Sequence, residues 1–223
     1  MHYARFEDLR ADIVDILERW GYQVHWKVLD TRTQGVPQPR PRFYLVALLR
    51  PVAERRFAFP VELPAPDLLR FLDPPGAEAA SNFPRGAQAN TSLLAASEKL
   101  RARKVDPTAS PCVIDVGAST KWAHGMERCS PCLTASRCCQ GGHYITMYKR
   151  MMTVHEMCRL QAIPPRRFDF QQAGVSQREF LHAVGNAMSA NVLARLFDRA
   201  LYAAGMTQCL REPHDGTFLK FLT

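Results

Sequence analysis

The chain has 223 residues, 47% of them hydrophobic, and carries 29 Lys and Arg against 21 Asp and Glu, a net charge of +8. That length holds one domain or two small ones with a packed core, and the positive balance suits a polyanion, because each Lys or Arg set near a phosphate releases condensed counterion. No apolar stretch is long enough to span a bilayer, and no signal peptide opens the chain. Its seven cysteines, an odd number without a secretory signal, are expected to be reduced thiols in an intracellular compartment, the nucleus in a eukaryote.

Phe6, Leu9, Ile13, Ile16, Leu17 and Trp20 recur at three- and four-residue spacing and predict an amphipathic helix over 6–20, with Gly21 as its left-handed cap. Tyr22, Val24, Trp26 and Val28 then alternate with Gln23, His25 and Lys27, the pattern of a half-buried strand. After a Pro/Arg turn, residues 43–49 are apolar on both faces, which predicts an internal strand. Helix, strand, loop, strand reads as the tail of an α/β sheet.

From residue 51 to about 145 the texture changes. Prolines cluster (Pro60, Pro64, Pro66, Pro74, Pro75, Pro84), strand-like runs such as 112–116 are short, and a helical period holds only over 93–103. This predicts a loop-rich lobe. Beyond Tyr148 regular helices return. Thr153 with Glu156 and Ser176 with Glu179 form two capping boxes, and the second opens a helical pattern that runs to Phe197 with a break near Gly185. The expected organisation is 1–50 as the end of an α/β domain, 51–145 as the lobe, 146–206 as returning helices and 207–223 as a variable tail.

Gln38, Arg40 and Arg42 occupy alternate positions, so on extended backbone their side chains share one face. Two guanidiniums at the mouth of a sheet make a fork for a phosphate or for a carbonyl oxygen on a base. The bland alternative is a solvated Pro-Arg loop. Residues 153–164 predict a capped helix with Met157 and Leu160 inward and with Arg159 and Gln161 supporting the adjacent lobe. In Gly185-Asn186-Ala187 the glycine permits close backbone approach and the Asn offers both a donor and an acceptor. Within the lobe, Arg128 and Arg137, with Lys121 and Lys149, are the candidate phosphate contacts.

Three other readings compete. Cys129, Cys132, Cys138, Cys139 and His143 nearly supply a tetrahedral zinc site, although the adjacent Cys138 and Cys139 and the tight loop argue against it; a zinc-bearing nucleic-acid module is the weakest reading. The run from Cys112 to Gly117 looks like a strand and glycine turn opening a Rossmann-type site but lacks the further glycines. Pro111-Cys112 and Pro131-Cys132 echo a Pro-Cys nucleophile, yet no Gln follows either of them.

Taken in order, Gln38-x-Arg40-x-Arg42, Thr153-x-x-Glu156-x-x-Arg159-Leu160-Gln161 and Gly185-Asn186 resemble the late motifs of the DNA cytosine-5 methyltransferases, over most of the chain. The resemblance implies an α/β fold: the C-terminal part of a Rossmann-like class I methyltransferase sheet plus an irregular target-recognition lobe. It implies double-stranded DNA as substrate and S-adenosylmethionine as methyl donor. By the same resemblance Arg42 would contact O2 of a flipped cytosine, Arg40 would help hold the catalytic loop and pocket, and Gln38 would orient neighbours. Asn186 and the Ala187 backbone would touch the methionine end of the cofactor. The 153–164 block would brace the lobe, with no chemistry of its own, and Ser130-Pro131-Cys132-Leu133-Thr134 would return the chain to it.

The chain departs from the family pattern at Ala162, where a glycine is usual, and at Ala190. Larger still, it contains none of the Phe-x-Gly-x-Gly cofactor loop, the Pro-Cys-Gln nucleophile or the Glu-Asn-Val acid of the family's early half. The expectation is therefore a truncated enzyme or one subunit of a split one, silent alone and needing a complementary N-terminal half. The alternative is an inactive DNA-binding or regulatory relative.

Overall fold

A computed structural model describes residues 2–76, 86–140 and 142–210. The expected tail over 207–223 lies mostly outside these residues. No described helix is long and apolar enough to cross a membrane.

The helix predicted over 6–20 is present as α1 (His2–Arg19), and Gly21 leaves it at φ +88°, a value that a side chain would resist. Strands β1 (Tyr22–Asp30) and β2 (Pro41–Leu49) follow and pair antiparallel over their full length, Tyr22 opposite Leu49 and Asp30 opposite Pro41. The alternation in β1 is real, but the covered side is not the one its apolar residues suggested. Leu29, Tyr44 and Leu48 pack with Phe57 against Val192 and Leu196 of α6 (Ala190–Ala203), whereas Trp26, Val28 and Phe43 are exposed on the opposite face. Among the described residues β2 pairs with β1 alone, so the strand expected to be internal has an open edge.

The lobe is more regular than its composition implied. Helix α2 (Ala87–Ala102) begins six positions before the period visible at 93, and it packs through Ala96 and Leu100 on Cys112, Ile114 and Tyr144 of an antiparallel sheet. That sheet runs β4 (Gly125–Glu127), β3 (Cys112–Asp115), β5 (His143–Ile145), β6 (Arg150–Met151). Its antiparallel pairing removes the Rossmann reading of Cys112–Gly117, which needs a parallel strand leading into a helix. The other face of the sheet, through Val113 and Ile145, joins a core with Leu68, Phe71 and Leu133. That core also takes in Cys138 of α3 (Ala135–Cys139), Met157 and Leu160 of α4 (Val154–Leu160), and Val184 of α5 (Gln177–Asn186).

Both capping boxes form as expected, Thr153 with Glu156 and Ser176 with Glu179. The break anticipated near Gly185 falls between the end of α5 at Asn186 and the start of α6 at Ala190. Helix α4 ends in a Schellman motif: Ile163 N–H donates to Cys158 O at 2.9 Å and Ala162 N–H to Arg159 O at 2.8 Å. Ala162 therefore sits at φ +59°, the left-handed position at which the sequence departs from glycine.

Candidate functional site

The Pro/Arg loop is a buried hub. Asp30 starts it by accepting from the backbone N–H of Arg32 at 3.1 Å and of Arg40 at 2.8 Å, which folds residues 31–40 back over the end of the hairpin. Thr31, Gln34, Val36, Gln38 and Arg40 are then each no more than 2% exposed. This overturns the solvated-loop alternative: Val36 is a core residue, and the polar side chains around it each find a distant partner.

Gln38 bridges two parts of the chain. Its Nε2 donates to Leu160 O at 2.8 Å at the end of α4, and its Oε1 accepts from Leu133 N–H at 2.7 Å. Arg40 reaches further. Its Nη2 donates to the carbonyls of Gly185 at 2.9 Å and Ala187 at 2.6 Å, and its Nη1 donates to Leu133 O and approaches Cys132 Sγ at 3.4 Å. A guanidinium suits this position because its planar donors diverge toward several acceptors at once. The carbonyls it holds flank Asn186, so the sequence-predicted arginine and the sequence-predicted Gly-Asn turn lie together.

Arg42 is placed differently. It stands opposite Leu29 on the same side of β2 as Tyr44, half-buried, and its hydrogen bond is to the adjacent Pro41 carbonyl at 2.8 Å. Burial raises the pKa of Tyr44, while the charges of Arg42 and Arg40 oppose that shift, so both guanidiniums act on the same ring. Arg40 is thus tied into the fold by long-range bonds, whereas the hydrogen bond of Arg42 is local.

Asn186 is exposed at the end of α5, while the Ala187 carbonyl is taken by Arg40 and its N–H by Ala183 O at 2.8 Å. The exposure of Asn186 is compatible with the S-adenosylmethionine edge that the resemblance implies, since an Asn side chain offers both a donor and an acceptor. The residues present form a rim and not a pocket. A cavity of about 860 Å³ does exist, but it is lined by residues such as Met151, Met157, Phe170, Arg178 and Leu181 and contains none of Arg40, Arg42 or Asn186.

The reason for Gly185 is packing. A Cβ there would fall 2.7 Å from the backbone nitrogen of Ala135 and closer still to the carbonyl of Thr134, so only glycine lets α5 cross the start of α3. Behind the turn runs a polar relay that the sequence did not announce. Gln161 Nε2 donates to Val184 O at 3.0 Å, Ser189 Oγ to Gln161 Oε1 at 3.1 Å, and Thr31 Oγ1 meets Ser189 Oγ at 2.8 Å.

The 153–164 block braces as expected, but against residues invisible to local patterning. Glu156 is fully buried and accepts from Arg150 through both oxygens at 2.6 and 2.8 Å, from Thr153 N–H at 2.7 Å and from Asp73 N–H at 2.8 Å. Arg159 donates to Phe71 O at 2.8 Å and pairs with the Asp73 carboxylate.

Of the candidate phosphate contacts, Arg128 is exposed and pairs with Asp67 at 2.6 Å, at the low-value surface end of ion pairing. Arg137 donates to Gly117 O and lies 3.4 Å from Asp115, so its donors are largely occupied within the lobe. Lys121 is exposed beside Trp122, and Lys149 is exposed at φ +53°.

The cysteines do not converge. Among the described residues no group of three or more His, Cys, Asp or Glu is placed to hold a metal ion. Cys129 Sγ lies 3.0 Å from Pro37 O, Cys132 lies under Arg40, and Cys139 lies 3.3 Å from Ser136 O. Burial pushes the thiols of Cys112 and Cys158 up to about 11 and that of Cys138 up to about 12, the reverse of what a nucleophile requires.

Comparison with known proteins bears on the fold and the family. The structure resembles that of the methyltransferase EhMeth from Entamoeba histolytica, with a TM-score of 0.55 at 15% identity, over 91% of this chain and 61% of that one. Short segments match two curated proteins. One is Type II methyltransferase M.MspI from Moraxella sp, 57% identical over 37 residues, which are 17% of this chain and 9% of that protein. The other is Type II methyltransferase M.NaeI from Lentzea aerocolonigenes, 48% identical over 44 residues, 20% of this chain and 11% of that protein. The chain thus spans less than two thirds of each of these proteins. The sequence profile of the C-5 cytosine-specific DNA methylases matches residues 3–201, nearly the whole described chain, and the chain belongs to that family.

Proposed function

We propose that this chain is the part of a DNA (cytosine-5)-methyltransferase that supplies one wall of the target-base pocket, the recognition lobe and an edge of the S-adenosylmethionine site. The observation that carries the reading is the division of labour between two arginines. Arg40 ties the strand end to the carbonyls on either side of Asn186, and Arg42, two positions along, bonds the carbonyl of its neighbour Pro41. A flipped cytosine offers O2, N3 and N4 for recognition, and a guanidinium at the mouth of the hairpin suits O2.

In the reaction a thiolate adds to C6 of cytosine, C5 becomes nucleophilic, and charge developing on the ring is offset by hydrogen-bond donors and an acid near N3. Once C5 carries the methyl group, loss of the C5 proton to a base expels the thiolate from C6. S-adenosylmethionine, when bound, supplies the methyl group. Arg42 would hold the ring at O2 while Gln38, Arg40 and Gln161 keep that wall and the Asn186 rim in register. Arg128 and Lys121 would meet phosphates of double-stranded DNA. The sequence carries no Pro-Cys-Gln element, so the thiolate is assigned to a complementary N-terminal half. Burial pushes the thiols of Cys112, Cys138 and Cys158 up, which suits a structural place for those three.

The test is transfer of tritiated methyl from S-adenosylmethionine to duplex DNA. The chain alone is expected to give no incorporation, and the chain with a complementary half is expected to give incorporation that Arg42→Ala removes. Turnover by the isolated chain would sink the proposal. Salt-dependent DNA binding with no cofactor binding in the presence of the other half would establish the regulatory relative in its place.

A further inference from the structure

Residues 116–124 connect β3 to β4, and helix α2 fixes this loop bond by bond. Ser92 Oγ donates to Ala118 O at 2.8 Å, Gln88 Nε2 to Thr120 Oγ1 at 3.2 Å and Arg103 Nη2 to Gly125 O at 2.9 Å. Lys99 takes the largest share. Its Nζ donates to Ala123 O at 2.8 Å and to Lys121 O at 3.1 Å, and it lies 3.5 Å from Thr120 O. Within the loop the N–H groups of Trp122 and Ala123 both donate to Ser119 O at 2.8 Å, and Ala123 is fully buried in the core that α2 shares with β3.

In the middle of this anchored turn Trp122 is 70% exposed. Isolated apolar side chains are ordinary on a protein surface. An indole on a loop held from both sides is a different case, because ordering the loop and a long lysine side chain costs conformational entropy that a free loop would keep. An aromatic ring set in place beforehand loses little further freedom when a ligand meets it.

The surrounding charge selects the ligand. The loop carries Lys121, whose Nζ lies 5.4 Å from the Trp122 ring centroid, and His124, and it has no acidic residue. The end of α2 beside it exposes Lys99, Arg101, Arg103 and Lys104 against Glu98, with Glu127 on β4. An aromatic face flanked by cations suits a nucleic acid, whose bases and sugars meet the ring while its phosphates meet the cations.

We infer that Trp122 contacts a base or sugar of double-stranded DNA and that Lys99 is the residue that positions it. The inference rests on the function proposed above and assigns to two named side chains a part of DNA recognition by the lobe.

The probe is a fluorescein-labelled DNA duplex of mixed sequence, titrated with the full chain at several salt concentrations. Trp122→Ala is expected to weaken binding about tenfold, as the loss of one aromatic contact does, without changing the slope of log Kd against log salt. Lys121→Ala, at a phosphate, is expected to lower that slope by about 1. Duplex DNA is expected to quench tryptophan emission, and Trp122→Phe to remove the quench although Trp20 and Trp26 remain. Lys99→Met is expected to speed amide exchange over 120–124 in the free chain, and in that background Trp122→Ala is expected to cost less than about threefold.

No binding of the duplex, wild-type affinity in Trp122→Ala, a quench that survives Trp122→Phe, or tighter Trp122-dependent binding of the single strand would each overturn the inference. Unchanged exchange in Lys99→Met would overturn the positioning role. Methyl transfer is read separately. Trp122-dependent binding by a chain that transfers no methyl group with a complementary half would overturn the proposed function and leave this surface standing. Incorporation that is indifferent to Trp122→Ala would do the reverse.

Discussion

The guanidinium of Arg40 donates to the carbonyl of Gly185 at 2.9 Å, although 145 positions of sequence separate the two. With the Ala187 and Leu133 carbonyls this bond makes Arg40 the junction of hairpin, lobe and closing helices. Removing it strands three carbonyls, of which those of Gly185 and Leu133 belong to buried residues, at about 1–3 kcal/mol for each group left unsatisfied. Arg40→Ala is therefore expected to cost at least about 3 kcal/mol in urea unfolding, and Arg40→Lys to recover only part, because a point charge cannot serve divergent acceptors. A loss under about 1 kcal/mol for the alanine variant would mean that the junction holds without it.

Glu156 poses a sharper test because it is fully buried and serves four donors. Glu156→Gln keeps the shape but leaves Arg150 with no carboxylate, and breaking a buried pair in this way costs about 3–5 kcal/mol. The double change Glu156→Gln, Arg150→Met should recover part of that loss. Equal stabilities for the single and double variants would show that the pair is not coupled.

Two helix ends carry non-glycine residues in the left-handed region. Lys104, at φ +62° and exposed, closes α2 in a Schellman motif with Val105 N–H on Leu100 O at 3.1 Å. Lys104→Gly should raise stability by about 1 kcal/mol, since nothing buried is lost. Ala162→Gly relieves the same strain but gives up a buried methyl, so thermal melts should place it within about 1 kcal/mol of the wild type. An ordinary destabilising helix-glycine effect at Lys104 would contradict the assigned backbone.

His143 should make the fold sensitive to mild acid. Burial depresses its pKa from 6.5 to about 4, with Asp115 opposing the shift and Arg137 adding to it. Between those values the unfolded chain binds a proton that the folded chain refuses. The contribution of this group is therefore complete above pH 6.5, is lost as the pH falls toward 4, and amounts to at most about 3 kcal/mol. His143→Gln should flatten the stability profile between pH 4 and 6.5. An unchanged slope would assign the acid sensitivity to other groups.

Much of this architecture was legible from periodicity. The 3.6-residue spacing in α1, the two capping boxes and the helix break at Gly185 are local patterns, and local patterns survive folding. The covered face of β1 was not legible: alternation separates two faces without saying which meets a helix, and α6, which covers Leu29, lies far along the chain. Strands β3 to β6 span two to four residues each, too short for a period to register. Gln38 and Arg40 were legible as a motif, but their burial depended on Leu133, Leu160 and Gly185, and Asp73 gave no sign of meeting Glu156 and Arg159.

Both roots of the lobe are gripped by side chains from outside it: Phe71 and Asp73 by Arg159 and Glu156 on one side, Leu133 by Gln38 and Arg40 on the other. Loop-closure entropy grows only as the logarithm of length, about 0.6 kcal/mol for each doubling. Outer segments can therefore be lengthened, shortened or exchanged at small thermodynamic penalty while the grips stay in place. Variation in these outer segments is in this way separable from what holds them, and insertions can be accommodated without rebuilding the core beneath.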